Sequence, residues 1–151
     1  MIVGFTGSRE GMTVFQEATF RNVLTMIMAK SGITDKEYIF IHGDCIGSDE
    51  EAAQIARDLG FEIIGYPANI PKYRAYFSSD VEKEPEQPLV RNRNIVKDCN
   101  LLIAMPKETF EPKPMQGQGT WSTIRYARKQ QRLDRPCYII WPNGVREVDK
   151  K

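Results

Sequence analysis

The chain has one histidine, His42, and its three cysteines, Cys45, Cys99 and Cys137, are far apart with no CxxC spacing. That scarcity excludes a disulfide framework and argues against a zinc centre; buried thiols in a reducing compartment are the expectation, and no metal is implied. No apolar run approaches the roughly 20 residues that a membrane-spanning helix needs. The opening MIVGFTGSRE lacks the basic lead and long apolar stretch of a secretory signal. A cytoplasmic protein with no membrane partner is expected. Charge of one sign is lacking too: 21 Lys and Arg face 20 Asp and Glu, a formal net charge of +1. A nonspecific duplex-DNA binder usually carries a strong basic excess, so nucleic acid is a disfavoured partner. What remains is 151 residues with 41% hydrophobic content, enough to bury a core as one domain spanning 1–151.

Apolar runs and helical spacings alternate along the chain. Ile2 to Thr6, Tyr38 to Ile41, Phe61 to Tyr66, Leu101 to Met105 and Cys137 to Trp141 read as five strands. A first helix runs from a Thr13–Gln16 capping box to about Ser31, stopped at Gly32. Its core positions are Val14, Ala18, Val23, Leu24, Ile27 and Met28. Ser48 with Glu51 has the same capping spacing, ahead of a second helix that Gly60 stops. Further helices are expected over Leu89–Asp98 and Thr120–Arg132. Residues 68–89, with a helical turn around Lys72 to Phe77, and residues 106–118 read as long loops, and the tail from Pro142 as polar. Strands alternating with helices give an α/β fold with a parallel sheet covered on both faces. In such sheets ligands bind beyond the carboxyl ends of the strands, where strand order reverses.

The unusual residues all follow strands and gather at that edge. Gly117-Gln118-Gly119-Thr120 opens a helix, where glycines admit an anion and free N–H groups point at it. Thr6-Gly7-Ser8-Arg9 is a second donor-rich turn, with an arginine able to clamp a phosphate. Gly43-Asp44 and Gly47-Ser48-Asp49 form a third. Asp44 is a candidate acceptor for ribose hydroxyls, and Asp49 reads first as a partner of the helix dipole. His42 at a strand end reads as structural. Arg91 and Arg93 are one residue apart on a helix, so they face different sides and need not share a target. Trp121 either stacks on a base or packs beneath the loop. Tyr73, Tyr76 and Phe77, with Lys72 and Arg74, either cover a nucleotide or pin the first long loop.

Phe5-Thr6-Gly7-Ser8-Arg9, His42-Gly43-Asp44 with Gly47-Ser48-Asp49, Arg91-Asn92-Arg93-Asn94-Ile95-Val96 and Gly117-Gln118-Gly119-Thr120-Trp121, in that order, resemble the SLOG superfamily. That group joins the DNA-processing protein DprA, the Lonely-guy phosphoribohydrolases and the YpsA-like nucleotide-binding proteins, and the small YpsA-like proteins of bacteria and phages are the nearest likeness. The resemblance implies a Rossmann-like three-layer sandwich with a mostly parallel five-stranded sheet. It also implies a pocket for a nucleotide or nucleotide-derived ligand, no separate cofactor, and a homo-oligomer. Phe15, Phe20, Met26 and Met28 of the first helix are the candidate interface. Arg91 falls on an arginine of the Lonely-guy enzymes, and Gly117, Gly119 and Thr120 on their PGGxGTxxE signature. Met115-Gln116 replaces Pro-Gly there, and Thr123 stands in place of the catalytic glutamate. Threonine cannot ionise to position water or stabilise a cationic sugar.

Thr6, Gly7, Ser8, Arg9, Gly43, Asp44, Arg91, Arg93, Gly117, Gly119 and Thr120 are therefore the candidate ligand-binding set, with Asp44 and Asp49 the only catalytic candidates. A sensor or sequestering protein for a nucleotide or an ADP-ribose-like metabolite is the leading expectation. An enzyme acting on a nucleotide N-glycosidic bond is the second, and a DprA-like single-strand DNA binder the third.

Overall fold

The computed structural model describes residues 1–31, 37–116, 118–130 and 135–149. The expected helix stop at Gly32, the helix end at Arg132 and the turn residue Gly117 lie outside them.

The chain runs β1 (Ile2–Gly7), α1 (Val14–Ser31), β2 (Ile39–His42), α2 (Ser48–Asp58), β3 (Glu62–Gly65), a 3-10 turn (Pro71–Tyr73), β4 (Val81–Glu82), α3 (Pro88–Asp98), β5 (Leu101–Met105), α4 (Gln118–Lys129), β6 (Cys137–Ile140) and β7 (Arg146–Asp149). One sheet takes all the strands in the order β4-β3-β2-β1-β5-β6-β7. Every pairing is parallel except β6 with β7. The chain moves outward from β1 through β2 and β3, then returns to place β5 on the other side of β1. Strand order thus reverses between β1 and β5.

The sheet has seven strands, not five. Both additions are edge strands. β4 is two residues long, and β7 carries Arg146, Glu147 and Asp149 around a single valine, the charged composition that protects an exposed edge and reads as a polar tail. Within residues 68–89 the helical turn is the 3-10 turn at Pro71–Tyr73.

Alternation along the central strands splits the core between two faces. Val3 and Phe5 of β1 and Leu101, Ile103 and Met105 of β5 join Phe20, Val23 and Leu24 of α1 and the alanines of α2. Leu102 and Ala104 face the other way, with Ile95 and Val96 of α3 and Trp121 and Ile124 of α4. α1 begins with a reciprocal box: Thr13 N–H donates to Gln16 Oε1 at 2.9 Å, and Gln16 N–H to Thr13 Oγ1 at 3.0 Å. α2 does not use the same device. Gly47 is its cap, Ser48 is already helical, and Glu51 instead accepts Met12 N–H at 2.8 Å, tying α2 to the β1–α1 loop.

Helix α1 corrects the expected core and interface. Val14 and Ala18, expected in the core, are exposed, as are Phe15 and Met26, while Phe20 is fully buried and Met28 packs against the core. Of the candidate interface residues, only Phe15 and Met26 are available to a partner copy. Among the described residues, no helix is long and apolar enough to cross a membrane.

Candidate functional site

At the carboxyl edge of the sheet, over the β1–β5 reversal, lies a cleft of about 540 Å³. Its lining includes Thr6, Gly7, Ser8 and Arg9 from the end of β1, Gly43 and Cys45 from the β2–α2 turn, Asp49 from the first turn of α2, Arg91 and Asn92 from α3, and Gly119 and Thr120 from α4. The β1 turn is locked to its neighbours on both sides. Ser8 N–H donates to Met105 O of β5 at 3.2 Å, and Ser48 N–H donates to Ser8 O at 2.9 Å. Gly47 has φ +89°, and a Cβ there would run into the Arg9 carbonyl and lie 2.8 Å from its Cα. A glycine at this point lets the β1 and β2 turns touch.

The first turn of α4 presents amides that have no partner inside the helix. Gly119 has open space beside it: a Cβ would find Asn92 Nδ2 as its nearest neighbour, at 3.9 Å. Thr120 is buried, lines the cleft, and its hydroxyl takes no partner from the described residues. Thr123 is also buried, but its hydroxyl bonds back to Gly119 O at 2.8 Å and it is not part of the lining.

Arg91 is the keystone of the floor. It is only 8% exposed, and its Nη1 donates to Gly43 O and, at 3.2 Å, to Tyr66 O. Its Nε donates to Asn92 Oδ1 at 2.7 Å, while its Nη2 has only the Cys45 sulfur, at 3.7 Å. Nη2 thus keeps donor capacity toward the cleft. Arg93, two residues on, faces elsewhere; its guanidinium lies 5.3 Å from the centre of the Tyr126 ring.

Asp44 of the β2–α2 turn and Asp49 of the first turn of α2 have different surroundings. Asp44 has left-handed backbone (φ 55°) and is not among the cleft residues. Its carboxylate accepts Arg74 Nε at 2.8 Å and Phe77 N–H at 2.9 Å, anchoring the segment that carries Tyr73. Asp49 does line the cleft. Its Oδ2 accepts Gly43 N–H at 3.0 Å and Cys45 N–H at 3.3 Å, and no hydrogen bond reaches Oδ1. Burial pushes its pKa up to about 6, against the opposing pull of Arg91 and the two amides.

This raised pKa makes a stability prediction. The folded state holds the Asp49 proton more tightly than the unfolded chain, so its contribution is most favourable below pH 4. It is lost as pH rises through about 6, amounting to about 3 kcal/mol. Asp49→Asn keeps a carbonyl for the two amides and removes the charge. Thermal denaturation is expected to show the variant more stable than the parent at pH 7.5 and nearly equal at pH 4. Equal stability at both pH values would contradict it. His42 acts in the opposite sense, since burial lowers its pKa to about 4, and comparing variant with parent at each pH cancels its effect.

His42 is structural. Asp44 N–H donates to its Nδ1 at 2.9 Å, which places the ring proton on Nε2, 3.0 Å from Ser79 Oγ. Trp121 packs as a fully buried core residue, donating its indole N–H to Glu108 Oε1 at 3.0 Å. The cleft also takes residues that no strand-end motif signalled. Glu10, Lys107 and Glu108 come from loops, and Tyr73 stands under Arg9, whose guanidinium lies 4.0 Å from the ring centre. Burial pushes the Cys45 thiol up to about 11.

A second cleft of about 530 Å³ lies beyond β6, lined by Phe110, Trp121 and Trp141 with Glu111, Arg128, Glu147 and Asp149. Its arginine is engaged: Arg128 donates to Glu111 and to Asp149 at 2.7–2.8 Å. Acid outnumbers base there, so an anion is not its natural occupant. Among the described residues, no three His, Cys, Asp or Glu side chains gather in a way that could hold a metal ion.

No protein-family model matches the chain, and no curated protein does. Solved structures resemble it, among them the following two. The X-ray structure of the protein TM1055 is 18% identical with a TM-score of 0.57, covering 86% of this chain and 69% of that one. The molybdenum cofactor binding protein from the phototrophic bacterium Rippkaea orientalis is 20% identical with a TM-score of 0.64, covering 93% and 76%. The fold is Rossmann-like. Likeness at these identities speaks for the architecture, and the cleft at the β1–β5 reversal lies where such sheets take ligands.

Proposed function

We propose that this protein binds a nucleotide or nucleotide-derived ligand, such as an ADP-ribose-like metabolite, in the β1–β5 cleft as a sensor or sequestering protein of the SLOG type. The observation that carries the reading is the meeting of three anion-friendly elements on one cleft: the Gly7-Ser8-Arg9 turn, the Arg91 guanidinium and the Gly119-Thr120 start of α4. The cleft volume suits a small ligand, and a neighbour that is a molybdenum cofactor binding protein supports small-molecule binding in general. The absence of an ionisable group at Thr123 favours binding over hydrolysis.

The test is equilibrium dialysis against AMP, ADP and ADP-ribose, with chromatography of what is recovered. Saturable uptake of unaltered ligand is expected. Release of free base or ribose phosphate would overturn the binding role and favour N-glycosidic cleavage, for which the buried Asp49 is the available proton carrier.

Gly119→Ala separates binding from folding. Alanine fits the open space beside Gly119 and favours the helix, so stability is expected to rise by about 0.5–1 kcal/mol. The added methyl stands where a phosphate must approach the first-turn amides, so AMP affinity is expected to fall about tenfold or more. Titration calorimetry and thermal denaturation read the two effects; unchanged affinity would remove Gly119 from the site.

A further inference from the structure

The nucleotide reading leaves the Asp49 carboxylate without an assigned partner. Asp49 is 4% exposed, yet its Oδ1 accepts no hydrogen bond. Among the described residues, Ser48 Oγ is the one side-chain oxygen both fully enclosed and unpartnered. Oδ1 is therefore open to space, and the space Asp49 borders is the cleft. A buried carboxylate oxygen left bare in this way calls for a donor from whatever fills the cleft.

The class of donor follows from what is already engaged. Oδ2 holds two backbone amides, so one oxygen is available, which suits a single hydroxyl and not the paired N–H edge of a guanine-like base. Its position relative to the phosphate elements points to the same group. Asp49 stands in the first turn of α2, which follows the strand beside β1, and it lines the same cleft as the β1 turn and the start of α4. An anion seated at the β1 turn and the start of α4 thus shares one cleft with Asp49. In any nucleotide the sugar is the part joined directly to the phosphate, and the base lies beyond it. Asp44, the carboxylate of the β2–α2 turn, is taken by Arg74 and Phe77 N–H and cannot serve.

We propose that Oδ1 of Asp49 accepts a ribose hydroxyl of the bound nucleotide, so that the cleft selects ribonucleotides over their deoxy counterparts. This rests on the nucleotide reading above and adds a specificity-determining residue to it. Asp49→Asn is the informative change. The carboxamide oxygen can take over the two amides, and the NH2 group then faces the cleft, so a neutral donor to the hydroxyl oxygen replaces the stronger charge-assisted acceptor.

Titration calorimetry of AMP and 2′,3′-dideoxyAMP into parent and variant tests the idea. The parent is expected to prefer AMP at least fivefold, and Asp49→Asn to bring the two ligands within a factor of two. Less than fivefold preference in the parent would overturn the ribose assignment and leave the nucleotide reading intact. So would a preference that survives undiminished in the variant. Binding of neither ligand would overturn the nucleotide reading and this inference with it. Thermal denaturation checks that Asp49→Asn is folded; if it is not, Asp49→Ser, whose hydroxyl can still accept an amide, is read by the same two outcomes.

Discussion

Replacing Gly47 with alanine lowers stability by about 3–5 kcal/mol, a large part of what holds a domain of this size. Two independent effects add. The backbone at Gly47 is left-handed, with φ +89°, a conformation that an alanine adopts at a cost. The added Cβ also lands on the Arg9 carbonyl, which is backbone and has no rotamer to give. The β1 and β2 turns must separate, and the bond from Ser48 N–H to Ser8 O goes with them. Because Arg9 belongs to the β1 turn and Asp49 to the β2 side, the variant is expected to lose ligand binding even where it stays folded. Denaturant unfolding of parent and variant measures the first effect and calorimetry the second. A loss below about 1 kcal/mol would show that the turns do not depend on this contact.

Arg91→Lys keeps the positive charge and is nevertheless expected to cost about 3 kcal/mol and to weaken AMP binding tenfold or more. The guanidinium spans the Gly43 and Tyr66 carbonyls with one nitrogen, Asn92 with a second, and turns a third toward the cleft. An ammonium is a single point and cannot cover all of these at once. Gly43 shows how closely the arginine fits: a Cβ there would lie 2.9 Å from both Arg91 Cζ and Asp49 Oδ2. With lysine, at least one buried carbonyl loses its donor. A lysine variant with parental stability and affinity would mean that only the charge matters.

The sheet was legible in the sequence where burial is complete. Leu101 to Met105 is apolar throughout because both faces of β5 are covered, and the same holds for the β1 and β2 runs. Two kinds of feature were not legible. Edge strands β4 and β7 have little apolar content to signal them. The inward side of α1 was hidden because apolar residues lie all round it: Phe15 is exposed, while Gln16 is 2% exposed and donates to Pro106 O and Ile140 O, both at 3.0 Å.

At the cleft, the glycine turns were readable as segments, since each follows a strand at one edge. Which side chain of a segment reaches the ligand space was not. Asp44 and Asp49 are five residues apart, one in the β2–α2 turn and the other in the first turn of α2. The left-handed backbone at Asp44 and Gly47, invisible in residue types alone, gives one to the Arg74 segment and the other to the cleft. Arg91 and Arg93 were expected to part company by helix geometry, and the fold decides that Arg91 is the inner one. Lys107 and Glu108 arrive from an irregular loop that carries no periodic signal, while Tyr73 belongs to the aromatic and basic segment already singled out in the sequence.

The proposed site has a rival of nearly equal size in the cleft lined by Phe110 and Trp141, so the decisive measurement is one that locates the ligand. Titrating AMP into isotopically labelled protein and following backbone amide resonances does so residue by residue. The largest shifts are expected at Gly119 and Thr120, whose amides open α4, and at Gly7 and Ser8 of the facing turn, with Asp49 moving alongside. Shifts gathered on Phe110, Trp141 and Glu147, or no saturable shift at all, would contradict a nucleotide site at the β1–β5 reversal.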